Sequence, residues 1–294
     1  IGLHGKSFIP LLMGFGCNVP AIMATRTLES RKDRVLTMLI IPFMSCSARL
    51  PVYVLLISAF FPHNQGLVLF SIYLIGILIA VLSSVLFKKL LFAKQEAPFV
   101  MELPPYRIPT VHNVVRHMWD KGAQYLKKMG TVILLASIII WALGHYPRNV
   151  EYSTDYAAEK ALVAASDQSA EEKQAQIQHL DNSQYAEHQE KSYIGRIGHF
   201  IEPAIRPLGF DWRIGVSLAS GLAAKEVIVS TMAVLNNSGD DETMLARNLQ
   251  KQTYASGPKA GEHVYTPLVA YTLMIFILLY FPCIAAMAAI RREA

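Results

Sequence analysis

Cys17 and Cys46 each lie in an apolar segment that glycine or proline interrupts. The interrupting residues are Gly14, Gly16 and Pro20 around the first cysteine, and Pro42 and Pro51 around the second. Glycine and proline weaken a helix, so backbone amides and carbonyls are freed beside each thiol. Within a membrane such groups are tolerated only where they are buried in protein or line a polar cavity. Interrupted apolar segments of this kind are typical of transport sites.

A cysteine thiolate can act as a metal ligand or as a nucleophile. A nucleophile needs a base, and no histidine lies in an apolar span near either cysteine in the sequence, although one could approach in space. The chain has three cysteines, all in apolar surroundings, and an odd number gives no even disulfide framework. The alternative for each is a buried cysteine that serves only as a small apolar side chain.

The composition predicts a membrane protein. Of the 294 residues, 53% are hydrophobic and 17% are charged, and the mean hydropathy is +0.32; a soluble domain has about 25% charged residues. The net charge of +5 comes from short basic clusters beside apolar runs. This is the positive-inside pattern and not a nucleic-acid-binding face. We therefore expect contact with membrane lipid and no nucleic-acid partner.

Four apolar runs are predicted to cross the membrane. They are residues 35–61, 67–86, 131–141 and 267–290. A proline-rich connector over 97–109 leads to an amphipathic helix over 111–129, which is expected to lie in the headgroup region. Residues 147–191 are rich in Ala, Glu, Gln, Ser and His, and they predict a soluble helical insertion. The basic clusters at 26–34 and 88–128 predict a cytoplasmic side, with the insertion outside.

Residues 212–235 predict a second unusual helix, rich in small residues. Glu226 shares a helical face with Ala219 and Ala223, so it is expected to point into a close helix contact, unless it pairs with Lys225 or another basic residue. If this helix crossed completely, the arginines at the end of the chain would lie outside, against the charge rule. A broken or re-entrant helix is therefore expected.

The fold class expected from these elements is an all-α polytopic membrane protein. It has about four full spans plus one broken or re-entrant helix, an interfacial amphipathic helix and a soluble helical insertion.

Four motifs occur in a fixed order. They are Gly-Leu-His-Gly-Lys-Ser-Phe-Ile-Pro-Leu-Leu-Met-Gly-Phe-Gly-Cys-Asn-Val-Pro over 2–20, Pro-Phe-Met-Ser-Cys-Ser-Ala-Arg-Leu-Pro-Val-Tyr over 42–53, Pro-Phe-Val-Met-Glu-Leu-Pro-Pro-Tyr over 98–106, and Ala-Ala-Lys-Glu over 223–226. Together they closely resemble the membrane domain of the bacterial ferrous iron transport protein B (FeoB) family. The resemblance covers nearly the whole chain.

In that family a GTPase domain and a helical regulatory domain precede a membrane part, in which two gate regions flank a central region. The chain resembles the central region and the second gate. The resemblance implies a multi-pass protein of the bacterial inner membrane, with Fe²⁺ as the transported ion and no tightly bound cofactor. GTP and Mg²⁺ would bind only through the GTPase domain, so no enzyme activity is expected of this segment. The implied partners are that domain, the first gate region, small accessory Feo proteins and further copies of the chain in a homo-oligomer.

The resemblance also divides the chain into four regions. They are a central membrane region with broken helices (1–106), the interfacial helix and span (107–146), the polar extramembrane insertion (147–195), and a second gate-like region with the last span (196–294).

The resemblance implies that Cys17 and Cys46 line the translocation path, with Cys283 as a further candidate beside Pro282. Fe²⁺ accepts thiolate, imidazole and carboxylate ligands, and Glu226 would offset its charge, since acidic residues inside apolar helices are usually functional. The supporting residues predicted around these candidates are Gly14, Gly16, Asn18, Pro20, Ser45, Ser47 and Lys225. Two alternatives stay open: a carrier of nucleosides or other small solutes with a gate-type fold, and a membrane enzyme that uses a cysteine nucleophile.

Overall fold

The structure is a computed structural model that describes residues 5–91, 110–148, 151–165, 170–236, 238, 242–253 and 261–294. Within these ranges the regular elements are helices, and the β-structure consists of one isolated bridge between Thr253 and His263. The all-α class predicted from the sequence is therefore confirmed for the described residues. The proline-rich connector predicted over 97–109 lies outside them.

Fourteen α-helices occur in the described residues. They are α1 Phe8–Gly14, α2 Asn18–Ala24, α3 Arg31–Ile40, α4 Leu50–Phe60, α5 Gln65–Leu91, α6 Val111–His145, α7 Tyr156–Ala165, α8 Ala170–Lys191, α9 Tyr193–Ile205, α10 Trp212–Ser220, α11 Val227–Leu235, α12 Glu242–Lys251, α13 Pro267–Leu279 and α14 Ile284–Glu293.

Three helical segments are long and apolar enough to span a bilayer: Arg31–Phe60, Gln65–Leu90 and Pro267–Glu293. They coincide with three of the four predicted crossings. The fourth, 131–141, belongs to α6, which continues without interruption from the predicted amphipathic helix. On the amphipathic part, Val115 and Trp119 are exposed, as expected of apolar side chains that face lipid rather than protein.

The first and third apolar segments are both interrupted. In the first, α3 ends at Ile40, a 3₁₀ turn covers Ile41–Phe43, and a second turn covers Ser47–Arg49 before α4 begins. Pro42 explains the end of the helix, because it cannot donate to the preceding turn. Pro51 was expected to interrupt a helix, but it lies in the first turn of α4, where its missing N–H costs nothing.

The chain folds as two compact units. The first unit consists of residues 1–47, 73–136 and 284–294, and the second of residues 48–72 and 137–283. In the first unit, Leu36, Ile40, Met44 and Ala80 form a buried cluster. Side chains of α1, the interruption after α3, and α5 pack against it: Leu11, Phe15, Phe43 and Phe87.

The second unit has its own apolar cluster of Ile194, Val216 and Leu235. Here α9 and α10 approach closely because Gly198 has no side chain. A Cβ atom at Gly198 would lie 2.5 Å from Val216 Cγ2 and 3.0 Å from the carbonyl oxygen of Trp212. The sequence predicted a close contact at Ala219 and Ala223, whereas this close approach of α9 and α10 lies at Gly198.

We expect Gly198→Ala to destabilise the protein by about 1–3 kcal/mol, since the added methyl group overpacks the contact of α9 with α10. Gly122→Ala in α6 is the matched control, because a Cβ atom there meets nothing within 4 Å. The control should be stabilising by about 0.5–1 kcal/mol, as alanine is the better helix former. Thermal unfolding of both variants in detergent measures the difference; equal melting temperatures would contradict the close contact.

Polar contacts hold the insertion together. Lys160 pairs with Asp181 at 2.5 Å between α7 and α8, and Glu187 accepts hydrogen bonds from Ser153 N at 2.7 Å and from Tyr156 Oη at 2.9 Å. Burial alone would raise the pKa of Glu187, but hydrogen bonds from Lys191, Ser153 and Tyr156 lower it to about 2. This polar network agrees with a segment whose composition has few large apolar residues.

Candidate metal-binding site

The first interruption beside a cysteine separates α1 from α2. Helix α1 ends at Gly14, and Cys17 is extended, with φ −147° and ψ 131°, before α2 begins at Asn18. A Cβ atom at Gly14 would lie 3.2 Å from Met44 Cβ and 3.6 Å from Ile41 Cγ2. Glycine at this position therefore lets the end of α1 pack directly on the second interruption.

The second interruption contains Cys46 and is bonded to the first. The carbonyl oxygen of Gly16 accepts two hydrogen bonds from Ser47, one from the backbone N–H at 3.1 Å and one from the hydroxyl Oγ at 2.8 Å. Gly16 precedes Cys17, and Ser47 follows Cys46. The structure thus brings the two predicted interruptions together, with each cysteine next to a residue of this bond.

Each cysteine has one buried and one exposed neighbour in the sequence, and the exposed ones are Gly16 and Ser47. Cys46 is 8% exposed, Cys17 is half-buried, and neither forms a disulfide bond. Asn18 and Ser45, the neighbours of the cysteines, are 5% and 2% exposed. Asn18 is the first residue of α2, and Cys17 is the N-cap residue, which makes no side-chain capping hydrogen bond.

In the second unit, two further interruptions are joined by a buried lysine. Lys225 lies between α10 and α11 and is 3% exposed. Its ammonium donates to the carbonyl oxygen of Phe281 at 2.9 Å and lies 3.1 Å from the centre of the Tyr280 ring, a cation–π contact. Phe281 precedes Pro282, which disfavours the helical conformation at Phe281. This pairing of a cation with a freed carbonyl was missed from the sequence, although the Phe-Pro step is the signal for it.

The structure corrects the placement of Glu226. The predicted common face of Ala219, Ala223 and Glu226 required a continuous helix, but α10 ends at Ser220 and α11 begins at Val227. Glu226 is exposed, and its neighbour Lys225 takes the buried position instead. Glycine at 221 and five further non-helical residues rotate the chain between the two helices, so helical spacing does not apply across them.

Cys283 is half-buried in the interruption between α13 and α14. Among the residues that the structure describes, no group of three or more His, Cys, Asp or Glu side chains is arranged to hold a metal ion. A metal site at Cys17 and Cys46 would therefore combine two thiolates with neutral oxygen donors. Thiolate with carbonyl or hydroxyl oxygen is a ligand set for a borderline divalent ion.

The sequence matches known transporters along its whole length. The family profile of the ferrous iron transport protein B C terminus matches residues 69–121, and a profile described as nucleoside recognition, Gate, matches residues 1–60 and 126–294. A fusion of Fe²⁺ transport protein A with the Fe²⁺ transporter FeoB from Porphyromonas gingivalis is 54% identical over 100% of this chain and 35% of its own length.

The chain belongs to the Gate family, whose profile covers more than half of it, and it is homologous to FeoB transporters. The Fe²⁺ transporters FeoB of Helicobacter pylori and Campylobacter jejuni are each 41% identical over the whole chain, which covers 44% and 42% of their lengths. The chain thus spans about two fifths of these relatives and corresponds to their C-terminal membrane part. No solved structure matches it significantly.

Proposed function

We propose that this chain forms the membrane part of a ferrous iron transporter in which Cys17 and Cys46 line the ion path. The observation that supports this assignment is the double hydrogen bond from Ser47 to the Gly16 carbonyl. It holds together two helix interruptions that each carry a cysteine. Transport sites in membrane proteins are built from paired interruptions of this kind.

The chemistry of the pair suits Fe²⁺ as the cargo. Fe²⁺ is a borderline ion that accepts thiolate and oxygen ligands, whereas the harder ions Mg²⁺ and Ca²⁺ favour oxygen alone. Cys283 and Glu226, in the second unit, are proposed as further residues that contact the ion. Glu226 is exposed, which suits a group that meets a hydrated ion rather than one that binds it inside the bundle.

Carriage of a nucleoside or another small solute is the second candidate, and the nucleoside-recognition profile favours it. Uptake of labelled Fe²⁺ by the full-length protein in membrane vesicles separates the two. An iron path requires uptake that depends on Cys17 and Cys46 and is unchanged by excess nucleoside. Nucleoside uptake by the same vesicles, with no uptake of iron, would identify the solute carrier.

The proposed topology has about four full spans, with 131–141 in α6 as the fourth, and residues 212–235 as a broken helix that does not cross. The basic clusters at 26–34 and 88–128 would face the cytoplasm of a bacterial cell with the chain in its inner membrane, and the insertion would face outward.

Single cysteines test this topology, one replacing Ala157 in α7 and one replacing Lys89 in α5, both exposed. We expect a membrane-impermeant thiol reagent to label the first in intact cells and the second only after permeabilisation. Labelling of the Lys89 position alone in intact cells would reverse the assignment.

The partners proposed are the parts of a full-length protein that this chain does not represent. They include a GTPase domain that binds GTP and Mg²⁺, and a first gate region. The fusion of transport protein A with FeoB in Porphyromonas gingivalis supports a small accessory Feo protein as a further partner.

A further inference from the structure

We propose that the side-chain oxygens of Asn18 and Ser45 are ligands of the ion held by Cys17 and Cys46, and that they set its preference for Fe²⁺ over softer metals. This inference rests on the proposed transport of iron. It concerns Asn18 and Ser45, whereas the proposed ion path concerns the two cysteines. An experiment can therefore contradict one proposal without contradicting the other.

Each interruption contains a buried oxygen that has no partner within the protein. Asn18 Oδ1 and Ser45 Oγ are both shielded from solvent and make no hydrogen bond. Asn18 directly follows Cys17, and Ser45 directly precedes Cys46. Each oxygen thus belongs to a residue next to one of the cysteines in the chain, one in each of the interruptions that Ser47 and Gly16 hold together.

A purely structural role does not account for these oxygens. Most buried polar side-chain atoms in proteins have a hydrogen-bond partner, because an unmet donor or acceptor loses its hydration without compensation. Other buried hydroxyls of the same unit follow this rule. Ser7, which is fully buried, is bonded to Thr37 Oγ1 at 2.9 Å, and Thr25 donates to the Ile22 carbonyl at 2.6 Å. A cation held between the two interruptions would give both acceptors a partner, and the thiols of the neighbouring residues would supply its sulfur ligands.

The combination of sulfur and oxygen donors would also set selectivity. A site made of thiolates alone favours Zn²⁺ and Cu⁺, and divalent affinities rise from Fe²⁺ towards Cu²⁺ for a given ligand set. An amide oxygen and a hydroxyl are harder donors, which lower the advantage of the softer ions. Two thiolates with two oxygens would bind Fe²⁺ and would still allow it to dissociate.

Four variants of the full-length protein test the assignment, purified under anaerobic conditions with Fe²⁺ or Zn²⁺ alone as the probe. Ser45→Ala and Asn18→Leu remove the oxygens at nearly constant size. We expect each to weaken Fe²⁺ binding about tenfold or more, in the range seen when groups around a metal are removed. Because the lost oxygens had no partner, the melting temperature of the metal-free protein should stay constant or rise.

Ser7→Ala is the matched control, since it also removes a buried hydroxyl but one with a partner. It should lower the melting temperature and leave Fe²⁺ binding unchanged. Ser45→Cys keeps a donor but makes it soft, so the ratio of Zn²⁺ to Fe²⁺ affinity should rise by about tenfold or more, in the same range.

Parent-like Fe²⁺ affinity in both Ser45→Ala and Asn18→Leu would overturn the inference. A melting temperature that falls as in Ser7→Ala would do so too, because it would assign the oxygens a structural role. If Asn18→Leu does not fold, Asn18→Asp replaces it: a ligand position predicts tighter Fe²⁺ binding by the added charge, and unchanged binding would count against the proposal. Fe²⁺ binding that survives loss of both cysteines would instead contradict the proposed path itself.

Discussion

Replacement of both Cys17 and Cys46 by serine is expected to reduce Fe²⁺ uptake by the full-length protein to the background of vesicles without it. Serine has nearly the size of cysteine, but its hydroxyl is a harder and far less acidic ligand than a thiol. Each single variant should already lose most uptake, since only one of the two sulfur ligands remains. The second replacement should add less than the first, because ligands that act as one unit are not additive.

Uptake of labelled Fe²⁺ at matched expression measures this effect for the two single variants and the double. Zn²⁺, which also favours thiolate, should inhibit the parent more strongly than any of the three. Cys283→Ser is a comparison and not a neutral control, because Cys283 is itself a proposed path residue; it lies in the second unit and should retain more uptake than either single variant. Parent-like uptake in the double variant would show that the two thiols are packing residues.

The interruptions beside the cysteines could be predicted because their causes are local. Pro42 ends α3 through the chemistry of its own residue, and glycine and the extended Cys17 end α1 within one turn. The lengths and hydropathy of the three apolar segments are likewise properties of short windows of sequence. Predictions of this kind need no knowledge of what packs against the segment.

The pairing of interruptions could not be predicted, because it depends on contacts between distant residues. Ser47 was selected for its place next to Cys46, but nothing in its sequence context shows that it bonds to Gly16, 31 residues earlier. The burial of Lys225 in place of Glu226 could not be predicted for the same reason. A single interruption after Ser220 shifts the helical phase, and the side chain that is buried then depends on the Phe281 carbonyl and the Tyr280 ring.

The ion pair between Arg26 and Glu293 was also invisible in the sequence, and it fixes the end of α2. Arg26 lies in the 3₁₀ turn that follows α2, and its Nε and Nη2 donate to the two carboxylate oxygens of Glu293 at the end of α14. The Glu293 side chain is 5% exposed and that of Arg26 is 39% exposed. Glu293 is therefore the more buried partner of the pair. Both residues lie in the unit that contains both cysteines of the proposed path.

Arg26→Ala is expected to destabilise the protein by about 2–4 kcal/mol. Removing one partner of a fully buried pair costs about 3–5 kcal/mol, because the other charge is left without compensation, and the partial exposure of Arg26 lowers this figure. Glu293→Gln combined with Arg26→Ala should restore much of the loss, as no charge then stays buried. Lys32→Ala, at an exposed position of α3, is the control and should change stability by less than about 0.5 kcal/mol.

Unfolding in detergent, followed for the four proteins at one lipid and salt concentration, separates the pair from the general effect of lost positive charge. Cys17 lies directly before α2, and Asn18 is the first residue of that helix. Loosening the other end of α2 should therefore also weaken Fe²⁺ binding, but less than loss of a thiol does. The double variant should regain binding together with stability. An Arg26→Ala protein as stable as the Lys32→Ala control would mean that water or lipid headgroups satisfy Glu293, and that α2 is held by its apolar contacts alone.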